Sequence, residues 1–531
     1  MPTDTLSFRE TGYFSNLICD YIEGKEELKP LFHRFPTLES FKDQIKEKSE
    51  HFSAEKRGVL TTVLQQQYQN IPASAQTRKN IELLKSSNTF TITTGHQLNL
   101  FTGPLYFLYK IISVVNLCKT LKRESSEYNF VPIFWMATED HDFEEISFFN
   151  FKGKKVKWEK ETSGAVGHLD TSGLGEVAAV LSSELGKSTN ANRLIDLFEG
   201  AYLKHTNLAE ATRYLANELF GDLGLVIIDA DNPLLKRQFI PEVTAELSEQ
   251  VTYQNVSSTN QSLEELGYGV QVNPRKINLF YLSDGLRERI IIEGDKYRIN
   301  NTDRQFSHKA LIQDLENHPE RYSPNVLMRP LYQEVVLPNL CYIGGGGEMA
   351  YWLQLKDSFK AQKVPFPILL LRDSVLIRTE KQLKKQKKLG ISDTDLFLNK
   401  NAFINKYVRR ISNINIDFNP QIHFLEEQFA ALYELADQTD PSFLGAVKAQ
   451  EVKQIKGLKH LEKRLLKAQK RVLADRIERS LSLKEQFFPN GSLQERQLNF
   501  SELYLEFGDD LITVLAGQLN PLDMRFLLLT I

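Results

Sequence analysis

The sequence predicts an α/β fold: a Rossmann-like, doubly wound parallel sheet with two insertions and a C-terminal α-helical coiled-coil domain. Short apolar runs alternate with helical stretches, and each run is continuously apolar, as in strands covered on both faces. Several of these runs end in glycines or acidic residues, where open parallel sheets place their ligands. The appended domain is announced by the proline-free segment from Ala446 to Phe487, rich in Lys, Glu, Gln, Leu and Arg.

Residues 1–85 read as an N-terminal helical region, with apolar positions at helical spacing from Leu38 to Val63. A β-rich run, TFTITTG, begins at Thr89 and closes on Gly95. The loop GHQLNLFTGP follows, then a long buried helix, LYFLYKIISVVNLCKTLKR, with Pro104 near its start. A second strand from Val131 to Ala137 runs into Thr138-Glu139-Asp140-His141-Asp142. The third is LGLVIIDAD, residues 223 to 231, after a helix from Leu208 to Phe220 and before a helix start at Asn232-Pro233. NLCYIGG, running into a helix from Glu348 to about Lys360, and PFPILLLRD complete the set.

Roughly 80 residues after Asp142 and about 100 after Asp231 are too long for loops, so they form insertions at about 146–206 and 245–335. The second carries a meander around Gly285 and Gly294. The core thus spans 86–375. The helical coiled-coil domain covers 376–490, where Leu458, Leu461, Leu465, Ala468 and Val472 step by 3 and 4 until Asp475 interrupts them. That interruption favours a short or antiparallel coiled coil. The segment 491–531 ends in LDMRFLLLTI and is expected to pack back on the body.

With 65 Lys+Arg against 68 Asp+Glu, the formal charge of −3 gives no argument for a polyanion partner, so no nucleic acid is expected. Three cysteines, Cys19, Cys118 and Cys341, lie too far apart in sequence for a CxxC pair or zinc knuckle, and no zinc is predicted. The N-terminus lacks a signal-peptide pattern, and no stretch approaches the roughly 18 to 20 apolar residues of a membrane span. A cytoplasmic location is expected.

Three strand ends carry candidate chemistry. In TTGHQLNLFTGP, residues Thr94, Gly95, Gln97, Asn99, Thr102 and Gly103 can cradle an anion at a helix start, although the loop fits neither GxGxxG nor GxxxxGK[ST] and a plain tight turn is equally compatible. His96 is a candidate contact to a phosphate or carboxylate. Lys110, two helical turns beyond Gly103, is a cation among apolar neighbours that either finds a partner or snorkels to solvent. Asp140, His141 and Asp142 are candidates to bind an ammonium or take its proton, with an acidic helix cap as the alternative. In the GGGGE turn, Gly344, Gly345 and Gly347 leave N–H groups open to a carboxylate or phosphate. Glu348 and Tyr351 follow on its helix, and Arg329 and Gln333 lie four apart upstream.

In this order and spacing, TTGHQLNLFTGPLYFLYKIISVVNL, VPIFWMATEDHDFEEI, MRPLYQEVVLPNLCYIGGGGEMAYW and PFPILLLRD resemble the bacillithiol biosynthesis cysteine-adding enzyme family. That pattern often has Gln in place of His96 and Pro in place of Gly346. The resemblance implies a core related to class I aminoacyl-tRNA synthetases, two connecting-peptide insertions and a coiled coil that makes a homodimer. It also implies a ligase that joins cysteine to the amino group of glucosaminyl malate. ATP, with Mg²⁺, is the expected activator, by analogy with related folds. A nucleotide-binding scaffold and a metal phosphohydrolase around His141-Asp142 are the competing readings.

Overall fold

The computed structural model describes residues 3–531. Its central sheet has five parallel strands, β1 (Thr89–His96), β2 (Asn129–Met136), β3 (Val226–Asp229), β4 (Asn339–Gly344) and β5 (Ile368–Leu371). Their spatial order is 3-2-1-4-5, that of a Rossmann sheet, in which the winding direction reverses between β1 and β4. β1 and β2 pair without interruption from Thr89–Asn129 to His96–Met136. All eight residues of β1 are buried, as a central strand with helices on both faces demands. The helix Tyr106–Glu124 buries thirteen of its nineteen residues against this sheet.

The third strand is shorter than predicted, because Gly221–Leu223 form a 3-10 turn and Gly224 sits at φ +83°. The helix expected from Glu348 to about Lys360 is two pieces, Gly346–Trp352 and Lys356–Ala361. The first insertion comprises a hairpin, Phe148–Phe151 with Lys154–Lys157, and the helices Leu174–Leu185 and Thr189–Tyr202. The second carries a five-stranded antiparallel sheet built from segments between Leu279 and Pro324.

The N-terminal region is not wholly helical: Thr3–Leu6 is a strand. It pairs antiparallel with Phe526–Thr530, which in turn pairs parallel with Ser374–Arg378. The last residues therefore do pack back on the body, as the middle strand of a three-stranded sheet.

In the C-terminal domain, helix Asn419–Ala436 and the 32-residue helix Pro441–Val472 form a hairpin within the chain, tied by Tyr433 Oη donating to Glu451 at 2.6 Å. Leu458 and Leu461 face Phe424 and Leu425 across a shallow groove, while Val472 is 76% exposed. The seam ends at Leu473, whose backbone (φ −100°, ψ 17°) breaks the helix two residues before Asp475. No helix among the described residues is long and apolar enough to cross a membrane. The three cysteines are buried and unpaired.

Candidate active site

A cavity of about 600 Å³ opens where the carboxyl ends of β1 and β4 diverge, the place where such sheets bind ligands. One cluster on its lining centres on Arg329 and Lys110. Arg329 begins the helix Arg329–Val336, is half-buried, and donates Nη1 to Gln333 Oε1 at 3.0 Å, while its Nη2 has no hydrogen-bond partner among the described residues. A guanidinium carries five donors and keeps its charge, so this side chain is built to receive an anion. It lies over the Tyr342 ring, 5.5 Å from the centroid. Gly95 gives it room: a Cβ there would sit 3.2 Å from Tyr342 Oη and 3.8 Å from Arg329 Nη1.

Lys110 does not snorkel. Its Nζ lies 2.6 Å from Glu348 Oε2 and donates to the Gly95 carbonyl at 2.7 Å, so the buried amine has both a counter-ion and an acceptor. Burial pulls the amine below the ordinary lysine range despite Glu348. Glu348 also accepts from Tyr342 Oη at 2.6 Å and from the Gly345 N–H at 2.8 Å. Burial opposes its charge, but Lys110 and these donors outweigh that and hold its carboxyl below the usual range.

The glycine-rich turn therefore works differently from the expectation. The Gly345 N–H is spent on Glu348, and Gly344, Gly345 and Gly347 do not line the cavity. A Cβ on Gly344 would come within 2.9 Å of Tyr342 and 3.1 Å of Glu348 Cβ, so glycine there permits close approach. Gln333 is wholly buried behind Arg329, its amide also bonded to Glu334, and positions the guanidinium without reaching the cavity. Tyr351 does line it.

A second cluster on the lining holds Glu139, Asp140 and His141 with Arg287 among them. Asp140 accepts from Gln97 Nε2 at 2.5 Å and from its neighbour's backbone N–H at 2.7 Å. Burial opposes its charge, yet Gln97 and Arg287 keep the carboxyl below the usual range. Arg287, from the antiparallel sheet, donates to His141 Nδ1 at 2.7 Å and lies 3.9 Å from Asp140. Asp142 faces away and caps the short helix Phe143–Ile146, accepting from the Glu145 N–H at 3.1 Å. The cap reading prevails there. With His141 engaged by Arg287 and Asp142 turned outward, this pair does not form the ligand set of a metal phosphohydrolase.

His96 lines the cavity, packed on Tyr106 and Phe107, and its Nε2 has no hydrogen-bond partner among the described residues. Burial first, and the nearby Lys110 second, push the imidazole down to about 3. The folded ring stays neutral where an unfolded histidine, near 6.5, takes a proton, so acidification from pH 6.5 to 5 costs about 2 kcal/mol of stability. His96→Gln removes that loss: its urea midpoint falls less between pH 7.5 and 5 than the wild type's, with catalysis above pH 6 unchanged in profile. An unaltered pH dependence of stability would refute the assignment.

The rest of the first loop is scaffolding outside the cavity. Thr94 Oγ1 donates to the Ile343 carbonyl at 2.7 Å, joining β1 to β4. Asn99 reaches the Glu145 carbonyl at 3.2 Å, Thr102 is buried, and Gly103 adopts φ +64° with no space for a Cβ beside Asn99. The buried Asn499 amide donates to the Phe101 and Gly103 carbonyls, both at 2.7 Å, and fixes the loop from the C-terminal segment.

Sequence reasoning missed a buried ionic cluster that includes Glu139. Lys236 Nζ lies 2.5 Å from Glu139 Oε1 and 2.8 Å from Asp231 Oδ1, and donates to the Glu320 carbonyl at 2.8 Å. His168 Nε2 lies 2.7 Å from Asp231 Oδ2. Asp231 stands at the end of β3, so the strand-end rule applied to Asp140 could have found it.

Fold and site together define a Rossmann-like α/β protein with a crevice of charged side chains at its switch point. Residues 1–373 match the family described as "Bacillithiol biosynthesis BshC, N-terminal Rossmann-like domain", and residues 375–531 match "Bacillithiol biosynthesis BshC, C-terminal coiled-coil domain". The chain belongs to the BshC family of bacillithiol biosynthesis. A relative from Flavobacterium johnsoniae is 60% identical over 531 residues, covering all of both chains. One from Christiangramia forsetii is 55% identical, covering 100% of this chain and 99% of its own. A Bacillus mycoides relative is 27% identical over 93% and 94%. All three bear the name "Putative cysteine ligase BshC".

Proposed function

We propose that the chain is a ligase that joins the carboxyl of cysteine to the amino group of glucosaminyl malate, using ATP to activate the carboxyl. The observation that carries this reading is one crevice that holds both Arg329, without a bonded carboxylate, and the carboxylates Glu139 and Asp140. Arg329 suits the anionic groups, and Glu139 and Asp140 suit an ammonium. The relatives' name supplies cysteine, and the resemblance supplies the amino sugar.

A free carboxylate is a poor electrophile, and ATP supplies a leaving group for it. The amine must lose a proton before it attacks. Arg329 and the Gly95 notch suit phosphate or carboxylate oxygens, and Tyr351 and Tyr342 close that end. Mg²⁺ enters this reading with the nucleotide phosphates, and no side chain is assigned to it.

Purified protein incubated with cysteine, glucosaminyl malate, ATP and Mg²⁺ is expected to give the amide with stoichiometric AMP by mass spectrometry, and to lose it when any component is omitted. No amide under any of these conditions, with retained nucleotide binding, would favour the scaffold reading instead.

The same proposal includes a homodimer through the helical hairpin, where Phe424, Leu435 and Val472 are 63%, 54% and 76% exposed. Apolar side chains in such number on one hairpin suit a partner. Leu435→Glu with Phe424→Glu is expected to halve the mass read by light scattering; a monomeric wild type would remove this part.

A further inference from the structure

Lys236 is a buried lysine between two carboxylates, one in the cavity and one tied to a surface histidine. Glu139 lines the 600 Å³ cavity, while His168, its side chain 68% exposed, lines a second cavity of about 560 Å³. Asp231 lines both. Four elements make the connection: the ends of β2 and β3, the helix Pro233–Arg237, and the 3-10 turn Val166–His168 of the first insertion. The links from Glu139 through Lys236 and Asp231 to His168 are 2.5, 2.8 and 2.7 Å.

The geometry points to Glu139 as the base that takes the proton of the substrate ammonium, with His168 releasing a proton to solvent in step, across Lys236 and Asp231. This rests on the ligase reading. Before the step Glu139 and Asp231 are anionic and Lys236 and His168 cationic, so the cluster is neutral. An N–H bond of the ammonium breaks, an O–H bond forms on Glu139, and the nitrogen keeps its electron pair for attack. The His168 N–H then gives its proton to water. Lys236 stays protonated, Asp231 stays charged, and the cluster is neutral again. A buried cluster that keeps its charge constant avoids the desolvation cost of an unpaired ion.

The surroundings agree. Glu139 is faced by Lys236, Asp231, Arg287, the neighbouring Asp140 and the Tyr332 ring. Burial, outweighing Lys236, lifts its carboxyl well above the usual range. His168 is faced by Asp231, Asp229 and Lys236, with Asp284, Glu320 and Arg321 lining the second cavity beside it, and the hydrogen bond to Asp231 lifts its imidazole. Asp229 is itself screened by Arg213, 3.7 Å away. Burial opposes the charge of Lys236, but Glu139 and Asp231 outweigh it and hold the amine above the ordinary lysine range.

His168 is at the surface, so its substitution spares the fold. His168→Gln removes a cation and is expected to move the acid limb of the kcat/KM profile up by about one pH unit, with rates converging on wild type at high pH. His168→Lys, a fixed cation, moves the limb down. Glu139→Gln loses at least 100-fold at every pH. Infrared pH-difference spectra, with Glu139→Gln assigning the Glu139 carboxyl band, read the coupling without substrate: the band titrates higher in His168→Gln and lower in His168→Lys. An immobile band and limb in both variants, or a Glu139→Gln enzyme at full rate, overturns the proposal. A wild type that forms no amide overturns the ligase reading and the base role, whereas shifted bands in the same protein would still establish the coupled pair.

Discussion

Arg329→Met is expected to lose activity while keeping its stability. In the free protein this half-buried guanidinium has a neutral amide and aromatic rings around it, and an Nη2 without a partner among the described residues. Replacing it with an apolar side chain removes a charge that no carboxylate bonds directly in the free protein, so the melting temperature changes little. Removing one partner of a buried charge pair in a complex costs about 2–5 kcal/mol, which is roughly 30-fold to several thousand-fold in kcat/KM. Arg329→Lys recovers little, since an ammonium lacks the planar fork that grips a carboxylate or phosphate. Thermal melts and steady-state rates on the same preparations check both halves. Full activity in Arg329→Met would remove this side chain from the mechanism.

Lys110→Met is expected to act in the opposite sense, chiefly on the fold. It strips Glu348 of the buried amine 2.6 Å away and leaves a half-buried carboxylate held by Tyr342 and one backbone N–H. Breaking a buried pair in this way costs about 3–5 kcal/mol. The pH dependence inverts as well. In the wild type the Glu348 carboxyl lies below its unfolded value, so its contribution is present above that value and lost as pH falls through the folded one. In Lys110→Met, burial lifts the carboxyl instead, the folded state binds the proton more tightly, and stability recovers as pH falls toward the unfolded carboxyl value. Denaturant midpoints at successive pH values read the reversal. Lys110→Met combined with Glu348→Gln regains most of the loss, because neither charge remains.

How far the sequence carries depends on whether a feature is local. The strands were legible as continuous apolar runs, and Gly95, His96, Asp140 and Glu348 were found because each sits within a few residues of a strand end. Arg329 was visible as a cation four residues before the amide of Gln333 on one possible helical face. What Lys110 does was not visible: its counter-ion is 238 residues away, and without it a snorkelling amine was the natural expectation. Asp142 shows the same limit at short range, since an acidic residue before a helix reads equally as catalyst or cap, and only the direction of its side chain decides. Lys236 and Arg287 escaped entirely. One stands on a helix of five residues and the other on a strand of the second insertion, and neither segment has a pattern that sets its cation apart from a solvated one.

The pairing of Thr3–Leu6 with Phe526–Thr530 bears on how the chain is made. Leu6 finds its partner in Phe526, so the first strand leaves the ribosome roughly 520 residues before its neighbour exists. At about 5–20 residues per second, that wait is on the order of a minute. Ser374–Arg378 waits too, because Phe526–Thr530 lies between the two. Until translation delivers it, both strands present unpaired edges. The parallel sheet, complete by Leu371, can close long before. Nascent chains halted after Leu371 should therefore hold the parallel sheet with open flanks while the loop after β1 still lacks Asn499, and Phe526–Thr530 is the latch that closes the flanking sheet.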